Sequence, residues 1–85
     1  MFYNVYLLED EYDKSWYIGF STNLEKRIEY HRTKRVISTR NKKKLNVIYC
    51  ECYLNKKDAL GREKFLKSGS GKKFLRKQLM NYFNK

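Results

Sequence analysis

The chain contains no proline, one histidine, four glycines and two cysteines among its 85 residues. Without proline, no rigid boundary divides the sequence, and at this length we expect a single domain that spans residues 1–85. The chain also lacks an apolar run near the roughly 20 residues that cross a membrane, and no signal peptide is visible at its start. We therefore expect a cytoplasmic protein without a membrane partner.

The two cysteines, Cys50 and Cys52, lie two residues apart in a predicted strand, so that both side chains point to the same face. That spacing excludes a long-range disulfide bond between them. Two sulfurs without a second cysteine or histidine pair do not complete a tetrahedral zinc site. We predict that both cysteines are reduced residues of the core.

Acidic residues are few, with 9 Asp and Glu against 20 Lys and Arg, and the formal net charge is +11. A compact chain tolerates this self-repulsion most easily when its partner is a polyanion. A membrane surface is disfavoured, because the basic residues do not form one face of an amphipathic helix. Nucleic acid, with DNA favoured, is the expected partner. The predicted phosphate contacts are Arg32, Lys34, Arg35, Arg40, Lys42, Lys43, Lys44, Lys72, Lys73 and Arg76.

The hydrophobic pattern predicts an α/β (α+β) fold of order ββαβαα, with a small three-stranded, mainly antiparallel sheet flanked by helices. The predicted strands are Phe2–Leu8, Trp16–Phe20 and Leu45–Leu54, and the predicted helices are Thr22–Thr33, Asn55–Lys67 and Lys72–Phe83. The first two strands form a hairpin, in which we expect Tyr6 to lie opposite Tyr17 and Asn4 opposite Gly19.

Local signals predict how these elements begin and end. Thr22 and Glu25 form a predicted capping box for the first helix. The third strand is apolar on both faces, so we expect it at the centre of the sheet. We expect Ser68–Gly71 to end the second helix and to separate it from the third. We expect Arg32–Lys44 to be a basic loop.

Ionisable side chains lie on the apolar faces of two predicted helices. Arg27 and His31 share a face with Leu24 and Ile28, because residues three and four apart lie together on a helix. Glu63 lies on the apolar face of the second helix in the same way. Burying an unpaired charge is costly, so such positions need a partner, a metal or a cleft. The alternative is an ion pair between Arg27 and Glu63 that only fastens the two helices.

The hairpin and the helices together carry a spaced pattern of polar and aromatic residues. The pattern is Asn4-Val5-Tyr6, Tyr17-Ile18-Gly19, Arg27, His31 and Glu63. In combination these residues resemble the GIY-YIG nuclease family, although Asn4 stands where the family has glycine. The segment 61–69 is similar to the second-helix segment of the small, stand-alone bacterial members. The resemblance covers essentially the whole chain.

The resemblance implies a metal-dependent endonuclease that hydrolyses DNA phosphodiester bonds. Glu63 would hold one Mg²⁺ or Mn²⁺, an ion that keeps most of its waters and takes its other ligands from phosphate. Arg27 would bind phosphate oxygens through its planar guanidinium, and His31 would assist a tyrosine or the leaving group. Relatives differ in which tyrosine acts as general base, so Tyr6 and Tyr17 both remain candidates.

Asn4 and Gly19 are assigned structural roles at the site, with Gly19 leaving room for the first helix or the substrate backbone. The sequence has Phe20 where some members carry a lysine, and Leu75 where many carry an asparagine. Two alternatives to a repair- or structure-related endonuclease remain. One is a catalytically idle nucleic-acid-binding module of the same fold, which Asn4, Phe20 and Leu75 favour. The other is a basic protein that docks on ribosomal RNA or another ribonucleoprotein, in which Arg27 and Glu63 are only structural. For the endonuclease, a protein partner would supply specificity.

Overall fold

The structure is a computed structural model that describes residues 1–33 and 44–85. The described residues form strands β1 (Tyr3–Asp10), β2 (Trp16–Ser21) and β3 (Leu45–Tyr53), and helices α1 (Leu24–Arg32), α2 (Lys56–Lys67), α3 (Gly69–Gln78) and α4 (Met80–Phe83). The predicted α+β fold of order ββαβαα is confirmed, with α4 as a short addition. Most of the predicted basic loop falls on residues 34–43, which lie outside the described residues.

The three strands form an antiparallel sheet in the order β2-β1-β3. The central strand is therefore β1, and the prediction that the third strand occupies the centre is wrong. β3 is an edge strand, whose residues Ile48, Tyr49 and Tyr53 pack against one core cluster and whose first residue, Leu45, packs against the other. An apolar composition does not by itself distinguish a central strand from an edge strand.

The misplaced strand also explains an error about the cysteines. Cys50 and Cys52 are free, but both are exposed, so the prediction that they are core residues is wrong. They do point to one face, where the Sγ atom of Cys52 lies 3.1 Å from Oδ1 of Asn4.

The hairpin between β1 and β2 is present, but its register differs from the predicted one. Tyr6 pairs with Gly19, Leu8 with Tyr17, and Asn4 with Ser21. The predicted pairing of Tyr6 with Tyr17 and of Asn4 with Gly19 is wrong by two residues. Because side chains alternate between faces along a strand, a shift of two residues leaves both tyrosines on the same face.

The turn of the hairpin accounts for the shift. The carboxylate of Asp10 accepts hydrogen bonds from the backbone N–H groups of Tyr12, at 2.8 Å, and Asp13, at 3.2 Å. Lys14 adopts a left-handed backbone with a φ of 62°, and Asp10 N–H donates to the carbonyl of Ser15 at 2.9 Å. Strand pairing therefore extends to Asp10, and the loop is centred further along the chain than the residue pattern indicated.

The N-cap of the first helix lies one residue later than predicted. Asn23 is the N-cap of α1, and its side-chain oxygen accepts a hydrogen bond from Lys26 N–H at 3.1 Å. The predicted capping box of Thr22 and Glu25 is wrong. Ser21 sets the start of the helix, because its hydroxyl accepts from Asn23 N–H at 2.9 Å and donates to the Asn23 carbonyl at 2.8 Å.

Asn55 caps α2 as predicted, accepting a backbone hydrogen bond of the first turn at 2.8 Å. The predicted end of the second helix is confirmed at Ser68, but the third helix begins at Gly69 and not at Lys72. Ser68 caps α3 by accepting from Gly71 N–H at 3.1 Å, and the glycines form the first turn of α3. Gly71 is required there, since a Cβ would overlap the backbone of Phe65 in α2.

The sheet is covered on both faces. One face packs against α2 and α3 in a core of Val5, Leu7, Ile18, Ala59, Leu66 and Leu75. The other face carries Tyr6, Leu8 and Leu45, and Leu24 of α1 packs against it. No helix among the described residues is long and apolar enough to cross a membrane. The architecture places α1 directly against the tyrosines of the hairpin.

Candidate functional site

Tyr6 lies at the centre of the sheet, with its side chain fully buried. Its phenol covers Gly19 on the neighbouring strand, so closely that a Cβ at position 19 would overlap the phenol ring. Gly19 therefore makes room for Tyr6 itself. We predicted that glycine at this position leaves space for the first helix or for the substrate backbone. The structure shows that the space is occupied by the Tyr6 phenol, so glycine is required for a different reason.

His31 of α1 joins the two tyrosines. It is buried, and its Nε2 atom lies 3.2 Å from the phenol oxygen of Tyr6. Its ring also packs edge-on against Tyr17, with ring centres 4.8 Å apart. Burial, and then the charge of Arg27, lower the pKa of His31 below its ordinary value of 6.5. The imidazole is thus neutral at neutral pH and can accept or donate a proton within the cluster.

Arg27 lies four residues before His31 on the same face of α1 and is half-buried. Hydrogen bonding to Tyr6 is the main reason that its pKa is raised, and Tyr17 adds a smaller effect. Its Nε atom is buried and has no hydrogen-bond partner among the described residues. A buried donor without an acceptor costs about 1–3 kcal/mol, so the site holds an unfilled place for a ligand oxygen.

The two phenols differ in their access to water. Desolvation by burial raises the pKa of Tyr6 to about 12, although hydrogen bonding and charge from Arg27 oppose the rise. Tyr6 has no exposed surface, whereas Tyr17 is half-buried and reaches the surface of the site. Tyr6 is therefore suited to hold the cluster together, and Tyr17 is the phenol that a substrate can contact.

Glu63 approaches from α2, on the other side of the sheet from α1. Its negative charge contributes to the raised pKa of Tyr6, which places the carboxylate within electrostatic range of the phenol. The side chain is 20% exposed, and Oε2 lies 3.3 Å from Nζ of Lys67. Among the ion pairs of the described residues, Glu63 pairs with Lys67 and not with Arg27. The alternative of an ion pair that fastens the two helices is not what the structure contains.

The donor set around Glu63 limits how a metal could be held. Within residues 1–33 and 44–85, no group of three or more His, Cys, Asp and Glu side chains is arranged as a metal site. A fully protein-bound ion is not built from this part of the chain. A single partly exposed carboxylate does fit Mg²⁺, which keeps several waters and takes further oxygens from phosphates.

Asn4 occupies the position where a glycine was expected, and it ties the strands together. Its Nδ2 atom donates to the carbonyl of Ser21 at 3.2 Å, and its Oδ1 faces Cys52. Phe20 stacks on Tyr3 with ring centres 6.1 Å apart, and Leu75 is fully buried in the core. The departures from the family pattern thus fall on packing positions.

The predicted phosphate contacts fall into three groups. Five of them, Lys34, Arg35, Arg40, Lys42 and Lys43, lie outside the described residues. Arg32 and Lys73 are exposed, and Lys44 is also exposed but lies 3.3 Å from a carboxylate oxygen of Glu11. Lys72 and Arg76 line a recess that does not include any of the tyrosine cluster.

Sequence analysis missed a second polar cluster, in which Arg62 binds Glu51 through two hydrogen bonds of 2.9 and 3.0 Å. Tyr53 also donates to Glu51, at 2.6 Å, and Tyr49 donates to it as well. A signal was present, since a glutamate within an aromatic strand needs a partner just as Glu63 does.

Comparison with known proteins agrees with this geometry. The family model described as the GIY-YIG catalytic domain matches residues 2–78. The solution NMR structure of a UPF0213 protein from Bacillus halodurans is 28% identical in sequence, with a TM-score of 0.58, over 92% of this chain and 85% of that chain. A comparison with curated proteins gave no match. Because the matched region carries both tyrosine motifs, the helix arginine and the glutamate, the chain belongs to the GIY-YIG family of nuclease domains.

Proposed function

We propose that this protein hydrolyses DNA phosphodiester bonds with the aid of one divalent metal ion. The observation that supports it most is the unpartnered, buried Nε of Arg27 beside the two phenols. A phosphate oxygen is the acceptor that a guanidinium fork binds best, and binding there would satisfy the orphaned donor. Arg27 then stabilises the negative charge that develops on the phosphate during cleavage.

Glu63 holds the metal ion in this proposal. Mg²⁺ or Mn²⁺, when bound, supplies a Lewis acid for the scissile phosphate. The carboxylate has one oxygen near Lys67, whose side chain is 57% exposed and free to swing away. The glutamate can therefore exchange its lysine partner for an ion without repacking α2.

Tyr17 is the proposed general base, because it is the phenol that water can reach. His31 lies against its ring and also contacts Tyr6, so it positions both phenols. Tyr6 acts as a buried anchor that orients His31 and Arg27. Arg27 hydrogen-bonds the phenol of Tyr17 and places a positive charge beside it.

DNA is the proposed substrate, in keeping with a formal net charge of +11 and a nuclease domain. In this proposal, substrate choice rests on DNA structure, as in repair, or on a protein partner. The proposed location is the cytoplasm.

Nicking of supercoiled plasmid in the presence of Mg²⁺ or Mn²⁺ tests the proposal. We expect Glu63→Gln and Arg27→Ala each to reduce cleavage by about 100-fold or more. Glu25→Gln is the matched control for charge, since Glu25 is exposed on α1 and, two residues before Arg27, does not share its helix face. That control should retain full activity.

The same assay separates the alternatives. Cleavage that survives both substitutions would come from a contaminant and would contradict the proposal. The second candidate, an idle nucleic-acid-binding module, is favoured by the packing roles of Phe20 and Leu75, where the family resemblance led us to consider a lysine and an asparagine. It predicts salt-sensitive DNA binding in every variant and no nicking in any.

A further inference from the structure

A recess of about 550 Å³ lies at the end of the hairpin, under the C-terminal helices. Its walls are the aromatic rings of Trp16, Tyr82 and Phe83, and its charged groups are Glu9, Lys14, Lys72, Arg76 and Lys85. None of Tyr6, Tyr17, Arg27 and Glu63 lines it. Trp16 and Tyr17 are consecutive in β2, so their side chains point to opposite faces of the sheet. The recess is therefore separate from the candidate active site.

The only carboxylate in the lining is already satisfied. Glu9 is 6% exposed, and it accepts hydrogen bonds from the indole Nε1 of Trp16 at 3.1 Å and from the Tyr82 hydroxyl at 2.6 Å. Both carboxylate oxygens are engaged by neutral donors that fix the aromatic walls. The walls are thus held in place before any ligand arrives.

The cations of the recess are available to a ligand. Lys14, Lys72 and Arg76 form no ion pair with any carboxylate of the described residues. The Arg76 guanidinium lies over the Trp16 ring, 4.9 Å from its centre, and this contact fixes the position of its charge beside the recess. Lys72 lies one helical turn before Arg76, so the two charges face the recess together.

Phe83 stacks on Trp16 with ring centres 5.5 Å apart and a tilt of 19°. The indole therefore contacts both Phe83 and Arg76, and a base that enters the recess would meet aromatic rings and a guanidinium group. Guanidinium planes and aromatic walls beside a line of cations are the features by which proteins bind single nucleic-acid strands. The regular surface of a duplex cannot fold into a recess of this size, whereas a flexible strand can.

We propose that this recess is a second nucleic-acid site, which binds a single-stranded segment by one or two phosphates and a base. Lys14, Lys72 and Arg76 bind the phosphates. The site would hold an unpaired flank of the substrate across the β2 edge from the cleavage site. The inference rests on the nucleic-acid partner of the proposed function, and it does not depend on turnover.

The test uses the full chain with Glu63→Gln and no added metal, so that binding is measured without cleavage. The probe is an oligothymidine of about 12 nucleotides, which spans one binding site of this kind. The indole of Trp16 is the sole tryptophan of the chain and reports directly on the recess. We expect the oligonucleotide to change Trp16 emission, and a duplex of equal length and concentration to change it far less.

Two double variants make the comparison exact in charge. Lys72→Gln with Arg76→Gln removes the recess cations from α3, and Lys56→Gln with Lys57→Gln removes two exposed cations from the start of α2, outside the recess. We expect the first pair to weaken binding by about tenfold and to lower the salt dependence by about one phosphate contact. The second pair should weaken binding by less than about threefold.

Lys14→Gly guards against a folding defect, because glycine accepts the left-handed backbone of residue 14, where φ is 62°. It should weaken binding while the protein stays fully folded by circular dichroism. Equal losses in the two double variants, or a duplex response of Trp16 equal to that of the single strand, would overturn the inference. Absence of cleavage by the wild-type protein would contradict the proposed function alone.

Discussion

Two clusters in this molecule are built from the same kinds of side chain, an arginine, a glutamate and two tyrosines, and they reach opposite states. In the cluster of Arg62, Glu51, Tyr49 and Tyr53, both carboxylate oxygens accept hydrogen bonds from the guanidinium, at 2.9 and 3.0 Å, and from the tyrosines. Burial alone would raise the pKa of Glu51, but its hydrogen bonds with Arg62 and the tyrosines outweigh burial and lower it. We call this the closed cluster.

In the open cluster, which consists of Tyr6, Tyr17, Arg27 and Glu63, the arginine and the glutamate do not pair with each other. Nε of Arg27 has no partner among the described residues, and Glu63 pairs instead with the exposed Lys67.

Arg62 of the closed cluster, by contrast, also lies over the rings of Phe65 and Phe74, at 5.1 and 4.5 Å. It is therefore held by packing as well as by hydrogen bonds.

The two clusters differ in whether their hydrogen-bonding groups are satisfied. A polar cluster in which every group has a partner stabilises the fold, and it gains no hydrogen bond by binding a ligand. A cluster that leaves a donor unpaired retains a cost that a ligand can remove. The same residue types therefore indicate a site only where their hydrogen bonds are incomplete.

The largest expected effect comes from changing each arginine to lysine. Arg27→Lys keeps a charge but loses the planar fork, so we expect plasmid nicking to fall by about 100-fold. Arg62→Lys should leave nicking within about threefold, and lower the free energy of unfolding by about 1–2 kcal/mol. Rates are compared at a temperature where both variants are folded. Equal loss of activity in the two variants would erase the distinction between the clusters.

Glycine substitutions test the packing beneath the open cluster. Gly19→Ala places a methyl group against the Tyr6 phenol, and we expect a loss of about 2–3 kcal/mol in the free energy of unfolding. Gly61→Ala is the control, because a Cβ at this position in α2 meets nothing within 4 Å. It should stabilise the protein by up to about 1 kcal/mol. Urea unfolding measures both, and a neutral Gly19→Ala would contradict the account of Tyr6.

Replacement of glutamate by glutamine should lower the free energy of unfolding in the closed cluster and change it little in the open cluster. Glu51→Gln weakens the hydrogen bonds from Arg62, Tyr49 and Tyr53, and we expect it to cost about 2 kcal/mol of stability. Glu63→Gln loses one pair with an exposed lysine, so the change should be within about 0.5 kcal/mol. A large destabilisation by Glu63→Gln would mean that this carboxylate has a structural role.

Much of this comparison could be predicted from the sequence, because it depends on periodicity. The faces of α1 and of the hairpin follow from spacing alone, and they bring Tyr6, Tyr17, Arg27 and His31 to one side of the sheet. A register error of two residues did no harm to this result, since it preserves the face of each strand.

Long-range pairings could not be predicted. The position of β3 at the edge depends on which strand pairs with β1, and strand composition does not encode that choice. Arg62 and Glu63 are adjacent, and both are charged residues of α2. Only packing decides that one faces the closed cluster and the other the open one. The recess beside Trp16 also depends on α4. The sequence pattern predicted one continuous third helix in this region and therefore did not indicate α4 as a separate element.

The smallest expected effect is a difference in pH dependence. His31 has its pKa lowered by burial and by Arg27, so the unfolded chain binds a proton more readily than the folded protein below the ordinary value of 6.5. Stability contributed by the neutral imidazole is therefore complete above that value and is lost as the pH falls below it.

The closed cluster loses its contribution to stability at a lower pH than His31 does, because the pKa of Glu51 is lowered by its hydrogen bonds. That contribution is lost as the pH falls below 4.5, the ordinary pKa of a glutamate. Between about pH 7.5 and about pH 5, wild-type protein should lose about 1 kcal/mol more than His31→Gln does. Melting temperatures across this range give the comparison, with Glu51→Gln as the control that should keep the wild-type slope. Parallel curves for wild type and His31→Gln would show that the imidazole is not held neutral against Tyr6. The imidazole would then take up a proton as readily in the folded protein as in the unfolded chain, and its role as a neutral group that positions both phenols would be wrong.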